Sequence, residues 1–452
     1  MLAAYRGYSV ILCAPVAAMG AVLFSHPTLV PALFNGLFME RMVGFVKNFF
    51  PIFLLGAVFG KVIELSGFSR SIVATVIKFF GSRRAMLSIV LVGALLTYGG
   101  VSLFVVVFSV YPFAAELFKK SGIPKRLMPA TIALGAFTFT MDSLPGTPQI
   151  QNIIPTTFFK TSVYAGPWLG TVGGVFILVC GMVYLERRRL VALRCGEGYG
   201  EGHSNEPTGG AGAISVHSGI ALIPLVVVGV MNRVFTEAIP AFYGESVSFF
   251  AGVVGKVEPI VLQTKSVTAI WAIEGALLLG IATVFALAWK RLVPSFLEGS
   301  KTAVSGALLA TMNTASEYGF GAIVAALPGF LLVSELLKSV PNVLVNEAVT
   351  VTALAGLTGS ASAGLGIALA SMAEHFCIAA QSAGIPLEVL HRVASMASGG
   401  MDTLPHNGAV ITLLAVTGLT HREAYRDIFV ITCIKTVAVF LVIGVFYATG
   451  IV

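Results

Sequence analysis

The sequence predicts an all-α polytopic membrane protein made of two inverted-topology repeats, each with a re-entrant helical hairpin and a broken transmembrane helix. Of its 452 residues, 56% are hydrophobic and 11% are charged, against roughly 45–50% and about 25% in soluble domains. Apolar runs of about 20 residues recur, and each could cross a hydrocarbon core of ~30 Å as a helix. Two of these runs contain near copies of one motif, at 141–148 and 401–408.

The two motifs read MDSLPGTP and MDTLPHNG. Each places an Asp, a Pro and small polar side chains in a segment that could otherwise span a membrane. A helix interrupted at membrane depth is tolerated only where it is buried in protein or lines a water-filled cavity. Two interruptions in corresponding halves of a chain are typical of the substrate site of a secondary transporter.

The apolar runs predict membrane-spanning helices along the whole chain, without the period-two alternation of a barrel. The first run could pass for a signal peptide, but the repeat requires it as an uncleaved span. The candidate spans are 8–24, 45–65, 128–158, 170–185, 218–235, 267–289, 303–327, 387–416 and 428–446.

Two further apolar regions, 86–118 and 343–381, predict helical hairpins. As one straight helix the first would run ~50 Å, which is too long for a bilayer. The adjacent Gly99 and Gly100 in its middle are a strong turn signal. We therefore predict a helix, a tip and a helix that returns to its starting side, with the same arrangement around Gly359 in the second region.

The basic residues predict the topology. If 86–118 returns to its starting side, the basic clusters at 83–84, 119–126 and 187–194 share one face. The positive-inside rule makes that face cytoplasmic. We expect a cytoplasmic N-terminus and an external C-terminus in the inner (cytoplasmic) membrane. Two full crossings per hairpin would give the same parity, so this alternative stays open.

Matching residues recur at offsets of 260–262, as in Leu96 and Leu357, or Met141 and Met401. One linking span lies between the two copies, so the second copy enters the membrane from the side opposite to the first. The stretch 196–212 is predicted to be a linker without structure of its own. The predicted units are a first repeat at 1–190 with hairpin 86–118 and broken helix 128–158, a cytoplasmic linker and linking span at 191–266, and a second repeat at 267–452 with hairpin 343–381 and broken helix 387–416.

Residues 402–412, DTLPHNGAVIT, followed by GLTHRE at 418–423, resemble the signature of the gluconate permease (GntP) family. The stretch 146–149 is similar to the break in dicarboxylate members of the wider ion transporter superfamily, and 97–102 lies where their hairpin tip belongs. The resemblance implies secondary active import of a small organic hydroxy-acid anion with protons, by alternating access. It also implies a homodimer that moves a transport domain against a scaffold.

The chain departs from that family at the first break. Gluconate transporters usually carry a Pro-Pro-His-Pro-Gly-Pro-like run there, whereas this chain has DSLPGTP at 142–148. The difference favours a shorter substrate, such as 3-hydroxybutyrate, at least as much as gluconate.

An anionic substrate also fits the physics of the tips. The N-terminus of a helix carries about half a positive charge, and Gly lets a carboxylate approach the backbone. Alternatively, the small residues only permit close helix packing. The predicted substrate-binding residues are Thr97, Tyr98, Gly99, Gly100 and Ser102 at the first tip, Thr358, Gly359, Ser360 and Ser362 at the second, and Thr147, Gln149, Asn152, Thr403, His406 and Asn407 at the breaks.

Asp142, Asp402 and Glu317 are the predicted proton-coupling residues. An ionised Asp at mid-membrane costs ~3 kcal/mol, so such a group tends to be neutral, paired or functional. The alternative for both Asp residues is that each caps the half-helix after its break. Lys435, near the start of the last predicted span, is expected to snorkel towards the membrane surface.

Other chemistry has little support. Five scattered Cys without a CxxC pair predict neither a disulfide framework nor a metal site. The chain has no HExxH, P-loop or Ser-His-Asp arrangement, so we expect no enzyme and no cofactor. The net charge of +7 comes from basic residues that lie mostly between spans, which argues against a nucleic-acid partner.

The expected partners are therefore a small carboxylate substrate and the lipid bilayer, with H+ as the coupling ion and Na+ as the alternative. Three other functions stay open. They are a cation/proton antiporter with the two Asp as ion ligands, a sodium-coupled carboxylate symporter, and a membrane sensor or structural subunit. The absence of a soluble output domain argues against the sensor.

Overall fold

The computed structural model of the chain describes residues 9–80, 84–101, 103–203, 205–206, 216–249, 260–329 and 340–452. Its elements are almost entirely α-helical, which confirms the all-α part of the predicted fold class. Within these residues, six helical stretches are long and apolar enough to cross a membrane: Pro27–Leu65, Pro167–Arg194, Gly219–Tyr243, Ser266–Ala326, Ala361–Ser382 and His421–Thr449.

The first half of the chain runs from α1 to α9. Short turns of 3-10, α and π geometry at Pro27–Leu29, Val30–Leu33 and Phe34–Met39 connect the first two helices, and a 3-10 turn, Lys125–Leu127, precedes α6. The helices are α1 Val10–Ser25, α2 Glu40–Leu65, α3 Phe68–Phe80, α4 Ala85–Tyr98, α5 Leu103–Lys120, α6 Met128–Ala136, α7 Phe139–Asp142, α8 Ile150–Phe159 and α9 Pro167–Arg194.

The second half contains one small sheet that the sequence analysis missed. Strands β1 and β2 pair antiparallel, with Ser246 opposite Gln263 and Phe249 opposite Ile260. The elements are α10 Ser218–Tyr243, β1 Ser246–Phe249, β2 Ile260–Gln263, α11 Thr264–Ala326, α12 Val343–Thr358, α13 Ala361–Ser382, α14 Leu387–Ser398, α15 Gly408–Thr417 and α16 His421–Thr449.

The candidate spans 267–289 and 303–327 both lie in α11. This element consists of two helices joined at a kink, because Ala288 has non-helical backbone angles (φ −132°, ψ 23°). Pro294 follows the bend and has no N–H to donate, which is a common cause of kinks. The charged residues that follow the bend within 290–301 lie on exposed positions, so they do not interrupt the helix.

Each motif ends a helix, as predicted from its Gly and Pro content. We call residues 142–149, which begin with the last residue of α7, the first break, and residues 399–407 the second break. The first lies between α7 and α8, where Gly146 has a φ of +79° that favours Gly. The second lies between α14 and α15, and contains two Gly and one Pro. Each break is therefore followed by a short helix of ten residues.

The helices form two groups. In the first group, the long α11 packs against α1, α2 and α10. In the second group, matching elements of the two halves make matching contacts: α4 packs on α6 as α12 packs on α14, and α8 packs on α13 as α15 packs on α5. These contacts enclose both breaks. The opposite membrane orientation of the two halves stays a prediction.

The predicted basic clusters lie at one end of the molecule. Arg126 and Arg188 both pair with Asp427, at 3.4 and 2.8 Å. Arg84, Lys120 and Arg189 line one cavity, so the hairpin of α4 and α5 begins and ends at this same end. The side of the membrane on which it lies stays a prediction.

The predicted linker has no helix or strand among its described residues, 196–203 and 205–206, but side-chain contacts hold these residues against the rest of the protein. Glu197 accepts two hydrogen bonds from the Arg126 guanidinium, at 2.6 and 2.7 Å, and Glu206 pairs with Lys125 at 2.8 Å. The Asn205 side chain donates to the carbonyl of Ala415 in α15, at 2.8 Å. The segment docks because its acidic side chains pair with basic residues and its Asn side chain donates to a backbone carbonyl. The Gly-rich composition of the stretch gave no indication of these contacts. Residues 204 and 207–212 lie outside the described residues.

Candidate functional site

The two breaks meet at Lys435. Its Nζ lies 3.1 Å from Asp402 Oδ1 and 3.6 Å from Asp142 Oδ2, and it donates to the carbonyl of Phe137 at 2.9 Å. The side chains of Lys435, Asp142 and Asp402 are 2%, 3% and 12% exposed. The prediction that Lys435 snorkels is wrong, because it lies at the middle of α16 and finds two carboxylates there. We call these three residues the Lys435 cluster.

Neither aspartate caps the half-helix after its break, so that alternative is also wrong. Helix α15 is capped by Asn407, whose side chain accepts from the N–H of Val410 at 2.8 Å. Gln149 stands at the N-cap of α8 and forms no side-chain cap with the described residues. Asp142 instead accepts from the hydroxyl of Ser143 at 2.7 Å. Both carboxylates therefore interact with Lys435 instead of capping a helix.

Side chains hold the backbone of the first break from several directions. Arg392, fully buried in α14, donates to Asp142 O at 3.2 Å, and to Ala165 O at 3.1 and 2.6 Å. These bonds cross from the second half of the chain to the first. The other donors are Ser395 to Asp142 O at 2.7 Å, Tyr98 to Pro145 O at 2.8 Å, Asn232 to Gly146 O at 3.2 Å and Asn152 to Thr147 O at 3.0 Å.

The predicted site residues around the first break bond mainly to the protein itself. Thr97 donates to Ala136 O at 3.4 Å, Thr147 to Thr140 O at 2.6 Å, and Gln149 to Thr97 O at 2.7 Å. Asn152 also donates to Val163 O at 2.8 Å, and its Oδ1 lies 3.2 Å from His391 Nε2. Gly99 packs against Leu225, and Gly100 against Leu277 and Pro148. Ser102 lies outside the described residues.

The second tip contacts the second break. Asn407 donates to Gly359 O at 2.8 Å, and a Cβ on Gly359 would lie 2.4 Å from the His406 ring. Thr358 bonds to Leu354 O at 2.9 Å. Ser360 caps α13 by accepting from Ala363 N–H at 3.3 Å, with Ser362 Oγ 3.4 Å away. The hydroxyls of Thr403 and Thr432 bond to each other.

His406 lines a cavity of about 660 Å³ between α12, the second break and α16. Its Nε2 is buried, yet it has no hydrogen-bond partner in the described part of the chain. The walls are mostly apolar, with the hydroxyl-bearing side chains of Thr352 and Thr436 among them. A small molecule with a polar end would satisfy this nitrogen, since a buried unpaired polar atom costs about 1–3 kcal/mol.

The predicted site residues thus form two groups. Hydrogen bonds connect the first tip to the first break and the second tip to the second break, and none between described residues joins the two tips. The halves meet at the Lys435 cluster and at α14. Glu317 lies in α11, outside that cluster, and has no hydrogen-bond or ion-pair partner among the residues described.

Four buried ionisable residues were not predicted from the sequence as part of the site. They are Lys435 as a partner of the aspartates, Arg392, His391 beside Asn152, and Glu347 in α12, whose two carboxylate oxygens find no hydrogen-bond partner in the described chain. All four lie in predicted spans or hairpins. An ionisable residue inside such a segment is a functional candidate by default. That signal could have found them without a structure.

Comparison with known proteins agrees with this architecture. The sequence model of the family described as "GntP family permease" matches residues 33–188 of this chain. The "Uncharacterized transporter YxjC" of Bacillus subtilis (strain 168) is 55% identical over 461 residues, which cover 100% of this chain and 97% of that protein. The crystal structure of the Alcanivorax borkumensis YdaH transporter has a TM-score of 0.52 and 14% identity, over 91% of this chain and 88% of that one, and is similar in fold.

Three findings lead to one conclusion. The chain has apolar helices long enough to cross a membrane, a full-length relative named as a transporter, and a match to the permease family. The chain is a multi-pass membrane transporter rather than an enzyme, and it belongs to the GntP permease family.

Proposed function

We propose that the protein imports a small hydroxy-acid anion, similar to 3-hydroxybutyrate or gluconate, together with protons, by alternating access. The Lys435 cluster carries this proposal, because two carboxylates from the two breaks share one ammonium. When both carboxylates are ionised, the cluster has a formal charge of −1. Uncompensated charge is costly inside a membrane. Uptake of one proton would neutralise the cluster and link its charge to the movement of the breaks.

The second break is the better candidate for the carboxylate of the substrate. Helices α13 and α15 begin beside Gly359 and His406, and helix N-termini favour anions. His406 Nε2 would donate to the carboxylate, and the hydroxyls of Thr352 and Thr436 would meet the hydroxyl of the acid. In this proposal Tyr98 of the first tip and Gln149 of the first break close the site from the other half of the chain.

The two helix groups suggest how the site would change sides. The long helices α1, α2, α10 and α11 would form a scaffold, while the hairpins and breaks move as a unit against it. The homodimer and this movement are extensions from the family resemblance. Glu317, on the scaffold helix α11, would then be a second proton site rather than part of the cluster.

Uptake by proteoliposomes tests the proposal. Under an imposed proton gradient in Na+-free buffer, we expect accumulation of labelled short hydroxy acids above the external concentration, and its collapse with a protonophore. Asp402→Asn keeps the shape of the side chain but removes the titratable group. It should still exchange labelled for unlabelled substrate but should lose uphill accumulation. Glu298→Gln, an exposed change in α11, serves as the control.

Three results would overturn parts of the proposal. Undiminished uphill uptake by Asp402→Asn would remove this residue from proton coupling. Accumulation driven by a Na+ gradient alone would identify a sodium-coupled carboxylate symporter. Proton-coupled cation exchange without uptake of any acid in the panel would identify an antiporter.

A further inference from the structure

A second cavity, of about 770 Å³, lies at the base of the first hairpin, where α4 begins, α5 ends and α9 makes its last turns. Three cations from three helices surround it: Arg84, Lys120 and Arg189. None of its lining residues belongs to a break, a tip or the Lys435 cluster. We call it the interfacial pocket, and the transport proposal gives it no role.

The interfacial pocket keeps a positive charge after its internal ion pairs are counted. Arg189 bonds to Glu186 at 3.0 Å, and Lys120 pairs with Glu116 at 2.6 Å. Arg84 is exposed and forms no ion pair with any described residue. One cation therefore remains for a ligand, and the two paired cations can share their charge with it.

The start of α4 adds backbone donors to the same space. Ala85, Met86 and Leu87 form the first turn of this 14-residue helix, and all three line the pocket. Arg84 stands at the N-cap, where no described side chain caps the helix. The N–H groups of a first helical turn have no partner within the helix and favour anions. The pocket thus offers both cations and backbone donors.

Two apolar stripes lead away from the pocket along the surface. On α9, Val172, Val175, Val179 and Val183 follow helical spacing and are between 38% and 53% exposed. On α4, Leu87, Leu91 and Leu95 follow the same kind of spacing and are half-buried or exposed. The two helices contact each other, and Val183 and Leu87 line the pocket itself. The site therefore combines an anion-binding end with a long apolar wall.

We propose that the interfacial pocket binds an anionic phospholipid, with its phosphodiester between Arg84, Arg189 and the start of α4 and an acyl chain along the valine stripe of α9. Basic pockets between membrane helices bind anionic lipid head groups in this way. A free phosphate ion would use the cations but not the apolar stripes. The lipid would hold the base of the first hairpin against α9.

The test uses the full chain, purified in detergent and stripped of lipid. Thermal unfolding is followed while phosphatidylglycerol, phosphatidylcholine with the same acyl chains, or inorganic phosphate is added. We expect phosphatidylglycerol alone to raise the unfolding temperature at low concentration. Arg84→Gln should weaken its apparent affinity about fivefold, the effect of one basic residue near a membrane surface. Arg84 has no ion pair to lose among described residues, so the fold should be unaffected.

Arg187→Gln is the matched control, because Arg187 is an exposed cation on the same end of α9 and does not line the pocket. It should leave the affinity unchanged. Val183→Gln should weaken phosphatidylglycerol binding through the apolar wall while all three cations remain. Equal stabilisation by phosphatidylcholine, equal loss in Arg187→Gln, or competition by inorganic phosphate at the lipid's own concentration would each overturn the proposal.

Discussion

The two breaks have similar sequences but are held differently. Donors to the backbone of the first break include Arg392 and Ser395 from the second half of the chain, and Asn232 from α10. The second break is held from within its own half, by Thr436 to Gly400 O at 2.6 Å, Tyr425 to Thr403 O at 3.2 Å and His421 to Pro405 O at 2.9 Å.

Two breaks with similar sequences would be expected to have the same role, but their surroundings differ. The carbonyls of the first break are bonded across the boundary between the halves. The second break adjoins the 660 Å³ cavity and His406 Nε2, which has no hydrogen-bond partner in the described chain, and the donors to its carbonyls come from its own half. Similar motifs thus share the aspartate that meets Lys435, while their surroundings decide which one faces a ligand.

The largest effect is expected at the residue that both breaks share. Lys435→Met leaves two buried carboxylates without their cation, which should lower the free energy of unfolding by about 3–5 kcal/mol. Adding Asp402→Asn should recover more stability than adding Asp142→Asn. Asp402 is nearer to Lys435 Nζ than Asp142 is, and Asp142 keeps its hydrogen bond from the Ser143 hydroxyl. Denaturation of the purified variants measures both. Equal recovery of stability would mean that Asp142 and Asp402 depend equally on Lys435.

Next comes the anchor of the first break. Arg392→Lys cannot reproduce the planar fork that bonds to Ala165 O and Asp142 O, so we expect a loss of about 2 kcal/mol. The matched change at the second break, Tyr425→Phe, removes one neutral hydrogen bond and should cost about 1 kcal/mol. Thermal unfolding of both variants checks the order. A greater loss in Tyr425→Phe would reverse the comparison.

The two tips give a smaller contrast. Gly100 and Gly359 both have positive φ, so Ala at either position costs about 1 kcal/mol. A Cβ at Gly359 would also lie 2.4 Å from the His406 ring, whereas at Gly100 the nearest atoms are 3.4 Å away. We expect Gly359→Ala to slow uptake about tenfold, which equals roughly 1.4 kcal/mol in the barrier. Gly100→Ala should slow it less. The clash itself is tested by thermal unfolding of the purified variants, because His406→Ala would also remove the proposed substrate contact. If the clash is not the cause, adding His406→Ala will not recover the additional loss of stability in Gly359→Ala.

The smallest effect concerns the docked segment 196–206. Hydrogen bonds from Arg126 hold the pKa of Glu197 below its ordinary value. Burial alone would raise the pKa of Glu206, but hydrogen bonds from Lys125 and Tyr199 lower it overall. With folded-state pKa values below the unfolded value of about 4.3, docking is fully stabilised above that pH and weakens as the pH falls through the lowered values.

Hydrogen exchange of this segment, corrected for the intrinsic rate, should therefore be constant above about pH 5 and rise below about pH 4. The end of α15 should lose protection with it, because Asn205 bonds to Ala415 O, while α8 should not. Protection of 196–206 that is unchanged at pH 3 would show that the two carboxylates do not hold it.

Local chemistry explains what could be predicted. Pro145, Gly146 and Pro405 lie close together with small polar residues, and this local combination disfavours a continuous helix, so the interruptions are visible in the sequence. The hairpin turns at Gly99 and Gly359 follow from the same reasoning. Length and apolar content likewise give the fold class.

Long-range partners explain what could not be predicted. Lys435 bonds to Phe137 and Arg392 to Asp142, over separations of 298 and 250 residues. No local pattern shows which helix interior a cation faces. The docking of residues 196–203 and 205–206 also depends on neighbours rather than on composition. Sequence reasoning therefore located the site's elements but missed the cation that joins them.

The single ammonium at the junction makes the two halves non-interchangeable. At the repeat offsets of 260–262, position 435 corresponds to 173–175, which read Gly-Gly-Val and carry no charge. A tandem chimera built from two second halves would place two lysines beside two aspartates and would be electrically neutral before any proton arrived. The two halves are therefore not equivalent, because the second supplies a cation that has no counterpart at the matching positions of the first.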